Sequence, residues 1–200
     1  MAFPWAEVLK RVYPALSARY NVVVGGSQVF YVNLGLALPS KDVDLFIEEF
    51  NPLELSRLIA EALGLLEERF EFFRRGDNQI FHFFAKVERG VVAVEVMSRT
   101  HLGKISETPL FEEVRHVERE GVFYWTLSLE AYAVLQATRP DGPRDVDLAR
   151  FVLVFDEVDW GRAGRLAERL GVGNRFNMFR DLVRVRVRGG VRQDRGSTLS

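Results

Sequence analysis

The apolar positions along this chain change period several times, and each change marks an element. Trp5, Val8, Leu9, Val12 and Leu16 recur at helical spacing, so residues 5–19 read as a covering helix kinked at Pro14. Val22 to Val24 form a short β-branched run that breaks into Gly25-Gly26-Ser27, the pattern of a buried strand ending in a tight turn. Ser27 is placed to cap a helix through Val29, Phe30, Val32, Asn33 and Leu34. A second apolar run, Val43 to Ile47, reads as the next strand. Asn51-Pro52 then opens a helix carrying Leu53, Leu55, Leu58, Ile59, Ala62 and Leu63, and Gly64 closes it.

The following stretch has the short period of antiparallel sheet. Phe70–Phe73 and Gln79–Ala85 flank a polar, glycine-bearing hairpin turn, and Glu88-Arg89-Gly90 turns into the strand Val91–Met97. A polar loop from Ser98 to Leu110, holding His101, Lys104 and Ser106, is long enough to act as a lid. Phe111–Val117 and Val122–Thr126 predict one more hairpin. From Ser128 the pattern is helical to about residue 185, broken at Arg139-Pro140-Asp141-Gly142-Pro143 and at Gly171-Val172-Gly173. Val183 to Arg188 alternate valine and arginine, which fits either a short edge strand with a basic, RNA-facing side or a solvated basic terminus. The expectation is an α+β chain with a mixed sheet and flanking helices over 1–127, a C-terminal helical region over 128–188 and a flexible tail over 189–200.

Composition narrows the function classes. The chain has 200 residues and 48% hydrophobic content, enough for one sizeable core. Without cysteine, disulfides, thiolate metal sites and a Cys nucleophile are excluded, and His82, His101 and His116 are too dispersed for a zinc motif. A formal net charge of −1 gives no global attraction to nucleic acid. No apolar run reaches transmembrane length and no signal-peptide pattern is present, so a soluble, cytoplasmic protein without membrane association is expected.

The candidate chemistry lies between Val22 and Ile47. Asp42 and Asp44 stand two apart on a strand, so their carboxylates share a face about 7 Å apart. Two such acids repel each other, and a divalent cation relieves the repulsion. Oxygen ligands suit Mg²⁺ or Mn²⁺, which complete their shell with water and substrate phosphates. The glycine turn before them suits a phosphate through its backbone N–H groups. Glu95 is the sole acid in an otherwise apolar strand. It is either an edge residue facing water or a third carboxylate brought beside the other two. The Asp145-Val146-Asp147 pair opens a helix, where residues two apart do not share a face, and so makes a poor metal pair.

Gly25-Gly26-Ser27, Asp42-Val43-Asp44-Leu45 and Glu95 together resemble the signature of the polymerase-beta-like nucleotidyltransferase superfamily. Ser40-Lys41-Asp42-Val43-Asp44-Leu45-Phe46 is similar to its AbiEii-type and minimal members, and Leu127-Ser128-Leu129-Glu130 with Arg139 and Arg144–Leu148 resembles the helical region of that branch. Gln136 stands where such relatives often have lysine. The resemblance implies a nucleotidyltransferase fold and metal-dependent transfer of a nucleoside monophosphate from a nucleoside triphosphate to a hydroxyl of RNA, protein or a small molecule. It implies Asp42, Asp44 and Glu95 as catalytic metal ligands. Gly25, Gly26, Ser27, Lys41, Arg139 and Arg144 are the implied nucleotide contacts, and tRNA or a protein is the implied acceptor, as for a toxin-like enzyme. Two other classes remain open, an antitoxin-like binding or regulatory protein with little turnover, and a structural domain whose acids cap a sheet.

Overall fold

Alternation of side chains along each strand settles which residues face the core. The computed structural model describes residues 3–66, 69–88 and 90–194, with side chains to 189, in two compact units, Met1–Ser128 and Leu129–Ser200. The first contains α1 (Pro4–Ser17), β1 (Val23–Val24), α2 (Gln28–Leu34), β2 (Asp42–Phe46), α3 (Pro52–Leu63), β3 (Phe70–Arg75), β4 (Asn78–Val87), β5 (Gly90–Met97), β6 (Val114–Arg119) and β7 (Val122–Leu127). Its seven strands form one mixed sheet in the order β3-β4-β5-β2-β1-β7-β6. β2 runs parallel to β5 and β1 parallel to β7, while the other neighbours are antiparallel.

One sheet face is dry. Val43, Leu45, Phe81, Phe83, Ala85, Val92, Val94 and Val96 point into a core shared with Trp5, Val8, Leu9, Val12 and Leu16 of α1 and Leu55, Ile59 and Leu63 of α3. A one-residue slip of β2 would turn Val43 and Leu45 outward and the aspartates inward, so the core fixes the register that places the acids. The ends of α3 follow its local chemistry. Asn51 accepts from the Leu53 and Glu54 N–H groups at 2.9 and 3.2 Å, and Gly64 closes the helix in the left-handed conformation. In the β6–β7 turn both Glu120 (φ 51°) and Gly121 (φ 79°) have positive φ, the twist-compatible form for a two-residue hairpin.

The second unit holds α4 (Leu129–Ala137), α5 (Asp145–Leu153), α6 (Trp160–Arg169) and α7 (Gly173–Asp194). Every residue of α4 is buried, which explains a helix that is apolar nearly all round. The valine–arginine alternation at 183–188 lies in α7 and not in an edge strand. Phe176, Phe179 and Val183 recur at helical spacing and are buried, so that period overrides the local alternation and leaves Val185 67% exposed. Of the expected tail at 189–200, the backbone to Asp194 continues this helix, and the remainder lies outside the described residues.

Two other expectations change. Residues 111–113 belong to a 3₁₀ turn ahead of β6 rather than to a strand. The polar loop 98–110 is anchored and not lid-like. The Ser106 N–H and hydroxyl donate to the Glu48 carboxylate at 2.7 and 2.6 Å, and Ile105 and Leu110 are buried.

Candidate active site

The Gly-Gly turn and the two aspartates meet because β1 and β2 are antiparallel neighbours. Val24 pairs with Leu45, and the Gly25 N–H continues the ladder to the Asp44 carbonyl at 2.9 Å. At Gly26 the chain turns away with φ 55°, a conformation that favours glycine. There is also no room for a side chain. A Cβ at Gly26 would stand 1.7 Å from Asp44 Oδ2, and one at Gly25 would stand 2.5 Å from Phe46 Cε2. The backbone of the turn therefore lies directly against the Asp44 carboxylate.

Ser27 has helical backbone angles and its side chain makes no capping bond, contrary to the capping expectation. The next residue takes a larger role. Where β1 leaves the sheet, it strands two hydrogen-bonding groups of β2. The fully buried Gln28 amide reaches both, donating to the Asp42 carbonyl at 2.7 Å and accepting from the Asp44 N–H at 3.3 Å. Gln28 thus substitutes for the missing strand at the very residues that carry the acids.

Glu95 is not at an edge. β5 lies between β4 and β2, and its parallel register sets Glu95 opposite Asp44 and Ala93 opposite Asp42. Asp42, Asp44 and Glu95 consequently occupy the sheet face opposite the dry core. Asp42 Oδ1 accepts from the Ser40 hydroxyl at 2.5 Å. Glu95 Oε2 lies 3.4 Å from Nε2 of His82, its partner on β4, and that nitrogen has no hydrogen bond among the described residues. In the sequence His82 is one of three histidines too dispersed for a zinc motif, and the β4–β5 register brings it here. Lys41 is exposed just before β2, where its carbonyl accepts from the Ala93 N–H.

Among the described residues no three His, Asp or Glu tips are already gathered as a metal-binding group. The donor set nevertheless fits a hard cation, with three carboxylates on one partly exposed patch of adjoining strands beside a turn that a Cβ would obstruct. Arg139 and Arg144 belong to the second unit. Arg144 grips the buried Asp147 with Nε and Nη2 at 2.7 and 3.1 Å, and Arg139 Nε is buried without a hydrogen-bond partner among the described residues.

Residues 6–188 match a family model described as nucleotidyl transferase of unknown function (DUF2204). The chain belongs to that family. Its fold is shared with solved structures, one of which is described as a candidate nucleotidyltransferase. JHP933 from Helicobacter pylori superposes with a TM-score of 0.55 at 11% identity, over 96% of this chain and 95% of that one. A crystal structure described as a candidate nucleotidyltransferase from H. pylori gives 0.55 at 11%, over 92% and 95%. A search of curated proteins returns no significant match. Among the described residues no helix is long and apolar enough to cross a membrane.

Proposed function

We propose that this nucleotidyl transferase family member is a metal-dependent enzyme that moves a nucleoside monophosphate from a nucleoside triphosphate onto an acceptor hydroxyl, with Asp42, Asp44 and Glu95 as its catalytic acids. The observation that carries this reading is the β2–β5 register, which sets Asp44 opposite Glu95 and leaves Asp42 on the same face beside the Gly25-Gly26 turn. The resemblance of the Ser40–Phe46 segment to AbiEii-type members supports it further.

Asp42, Asp44 and Glu95 would hold Mg²⁺ or Mn²⁺, whose chemistry when bound is to neutralise the triphosphate and the developing charge on its leaving oxygen. The turn amide of Gly26, with the Ser27 hydroxyl, holds the β- and γ-phosphates on the β1 side of Asp44; the Gly25 N–H, expected from the sequence as a nucleotide contact, instead donates to the Asp44 carbonyl. Glu95, on the β5 side, orients the acceptor hydroxyl and takes its proton as the oxygen bonds to the α-phosphorus. The bond from that phosphorus to the α–β bridging oxygen breaks, and pyrophosphate leaves. Gln28 holds the backbone of both aspartates in place. Phosphate binding is assigned without Arg144, whose charge is committed to Asp147.

Saturating Mg²⁺ with a nucleoside triphosphate is expected to raise the melting temperature, since a ligand at 100 times its Kd adds about 2.7 kcal/mol to the folded state. The Asp42→Ala/Asp44→Ala variant should lose that rise. Labelled triphosphate should pass to an acceptor in an Asp44-dependent way; a ligand-induced rise without any transfer would instead make the chain a binding or regulatory protein.

A further inference from the structure

Resting on the proposed nucleotidyl transfer, the position of the phosphates fixes where the acceptor must come from. In-line displacement puts the attacking oxygen opposite the leaving pyrophosphate. With pyrophosphate on the β1 side of Asp44, the acceptor approaches across β5 and β4. There the open face is aromatic. His82 lies opposite Glu95 on β4, Phe84 follows two residues later on the same face, and Phe73 stands on β3 opposite Ile80. The imidazole meets Phe73 edge-to-face at 5.3 Å and 88°, and Phe84 at 6.4 Å and 83°. Phe73 and Phe84 remain 41% and 37% exposed.

Alternation assigns Arg75, Glu71 and Lys86 to the same face, with Arg75 near the β3–β4 turn and Lys86 at the far end of β4. Aromatic rings on an open sheet between cations form a stacking platform for bases joined by phosphates. By contrast Phe72, on the other face, packs against Phe50. We propose that β3 and β4 form the acceptor platform, that the acceptor is the end of a single-stranded nucleic acid with a free terminal hydroxyl, and that Phe73, His82 and Phe84 stack its last bases so that the hydroxyl reaches Glu95.

The test uses the full chain and 5′-fluorescein decamers of RNA and of DNA ending in a 3′-hydroxyl. Wild type should bind at least one of them, more weakly as salt rises, and the preferred strand should accept label from triphosphate while a 3′-blocked copy does not. Phe73→Leu/Phe84→Leu should weaken binding tenfold or more and raise the strand KM, whereas Phe84→Tyr should bind as wild type. Lys86→Ala should reduce the slope of log K against log salt by about one. All variants should keep the Mg²⁺-triphosphate melting shift, which verifies their fold.

If wild type shows the shift but binds neither strand, or the leucine variant binds like wild type, the platform is overturned. Label passing to protein or a small molecule instead also overturns it, as does a leucine variant that changes only the oligomeric state, which would assign the face to a second copy of the chain. Strand binding that is sensitive to the leucines, with no Asp44-dependent shift or transfer, would leave the platform standing and remove the nucleotidyl-transfer reading.

Discussion

Gln28 shows how one side chain can complete a site it does not line. Its amide satisfies a carbonyl at Asp42 and an N–H at Asp44 that β1 abandons when it turns at Gly26. Replacing it with alanine removes both of these part-buried hydrogen bonds, at a cost of about 1–3 kcal/mol. Urea unfolding of Gln28→Ala should show that loss, and its melting shift with Mg²⁺ and triphosphate should shrink because the β2 backbone no longer fixes the acids. At this scale the sequence was informative about residue type and silent about partner. Asp42 and Asp44 could be read from their spacing and Gly25-Gly26 from their composition. Gln28 and His82 could not, because each acquires its meaning from a residue on another element, 14 positions away in the one hydrogen bond and in the facing strand in the other.

The two Asp-x-Asp segments separate at the level of elements. On β2 the pair shares a face. On α5 the same spacing splits it, so that Asp147 is fully buried between Arg144 and Arg150, and Asp145 is 88% exposed and pairs with Arg186 of α7. Asp147→Ala should therefore cost about 1–3 kcal/mol, since it strips Arg150, itself only 13% exposed, of a partner while the half-exposed Arg144 can turn to water. Asp145→Ala should change stability by no more than about 1 kcal/mol. Parallel thermal or chemical unfolding of the two variants gives the comparison, and equal effects would contradict the burial assigned to α5. Most helices and hairpins were legible from period, caps and turns. The misread elements were those where a local alternation competed with a longer period, as in α7, or where side chains anchor an irregular segment, as Ser106 and Glu48 do for 98–110.

At the scale of the molecule, α1, α2 and the β6–β7 hairpin meet around phenols. Burial, then the hydrogen bond and charge of Glu120, push Tyr31 up to about 12. Burial likewise raises Tyr124, Tyr13 and Tyr20. Glu120 is itself held below the usual carboxylate range, first by its hydrogen bond from Lys10 and then by Tyr31. For the tyrosines the folded value lies above the unfolded one. Their contribution to stability is therefore full below about pH 10 and is lost as the pH rises toward the folded values. Absorbance titration at 295 nm should show late-ionising phenols and unfolding that begins above about pH 10, and all phenols titrating together near 10 in a still-folded chain would contradict this packing. Taken alone, the sequence determined the residue types, the strand–turn–helix–strand order and the alternation that keeps Val43 and Leu45 on one side and the aspartates on the other, because these depend on neighbours within a few positions. The tertiary structure decided that β5 lies beside β2 in parallel register and that β4 follows it. The β2–β5 pairing joins residues some 50 positions apart, where hydrogen-bonding strands carry no label of their partner and only the packing of the whole core selects one. That choice is what placed Glu95, His82 and the aromatic strands on the face where Asp42 and Asp44 were already waiting.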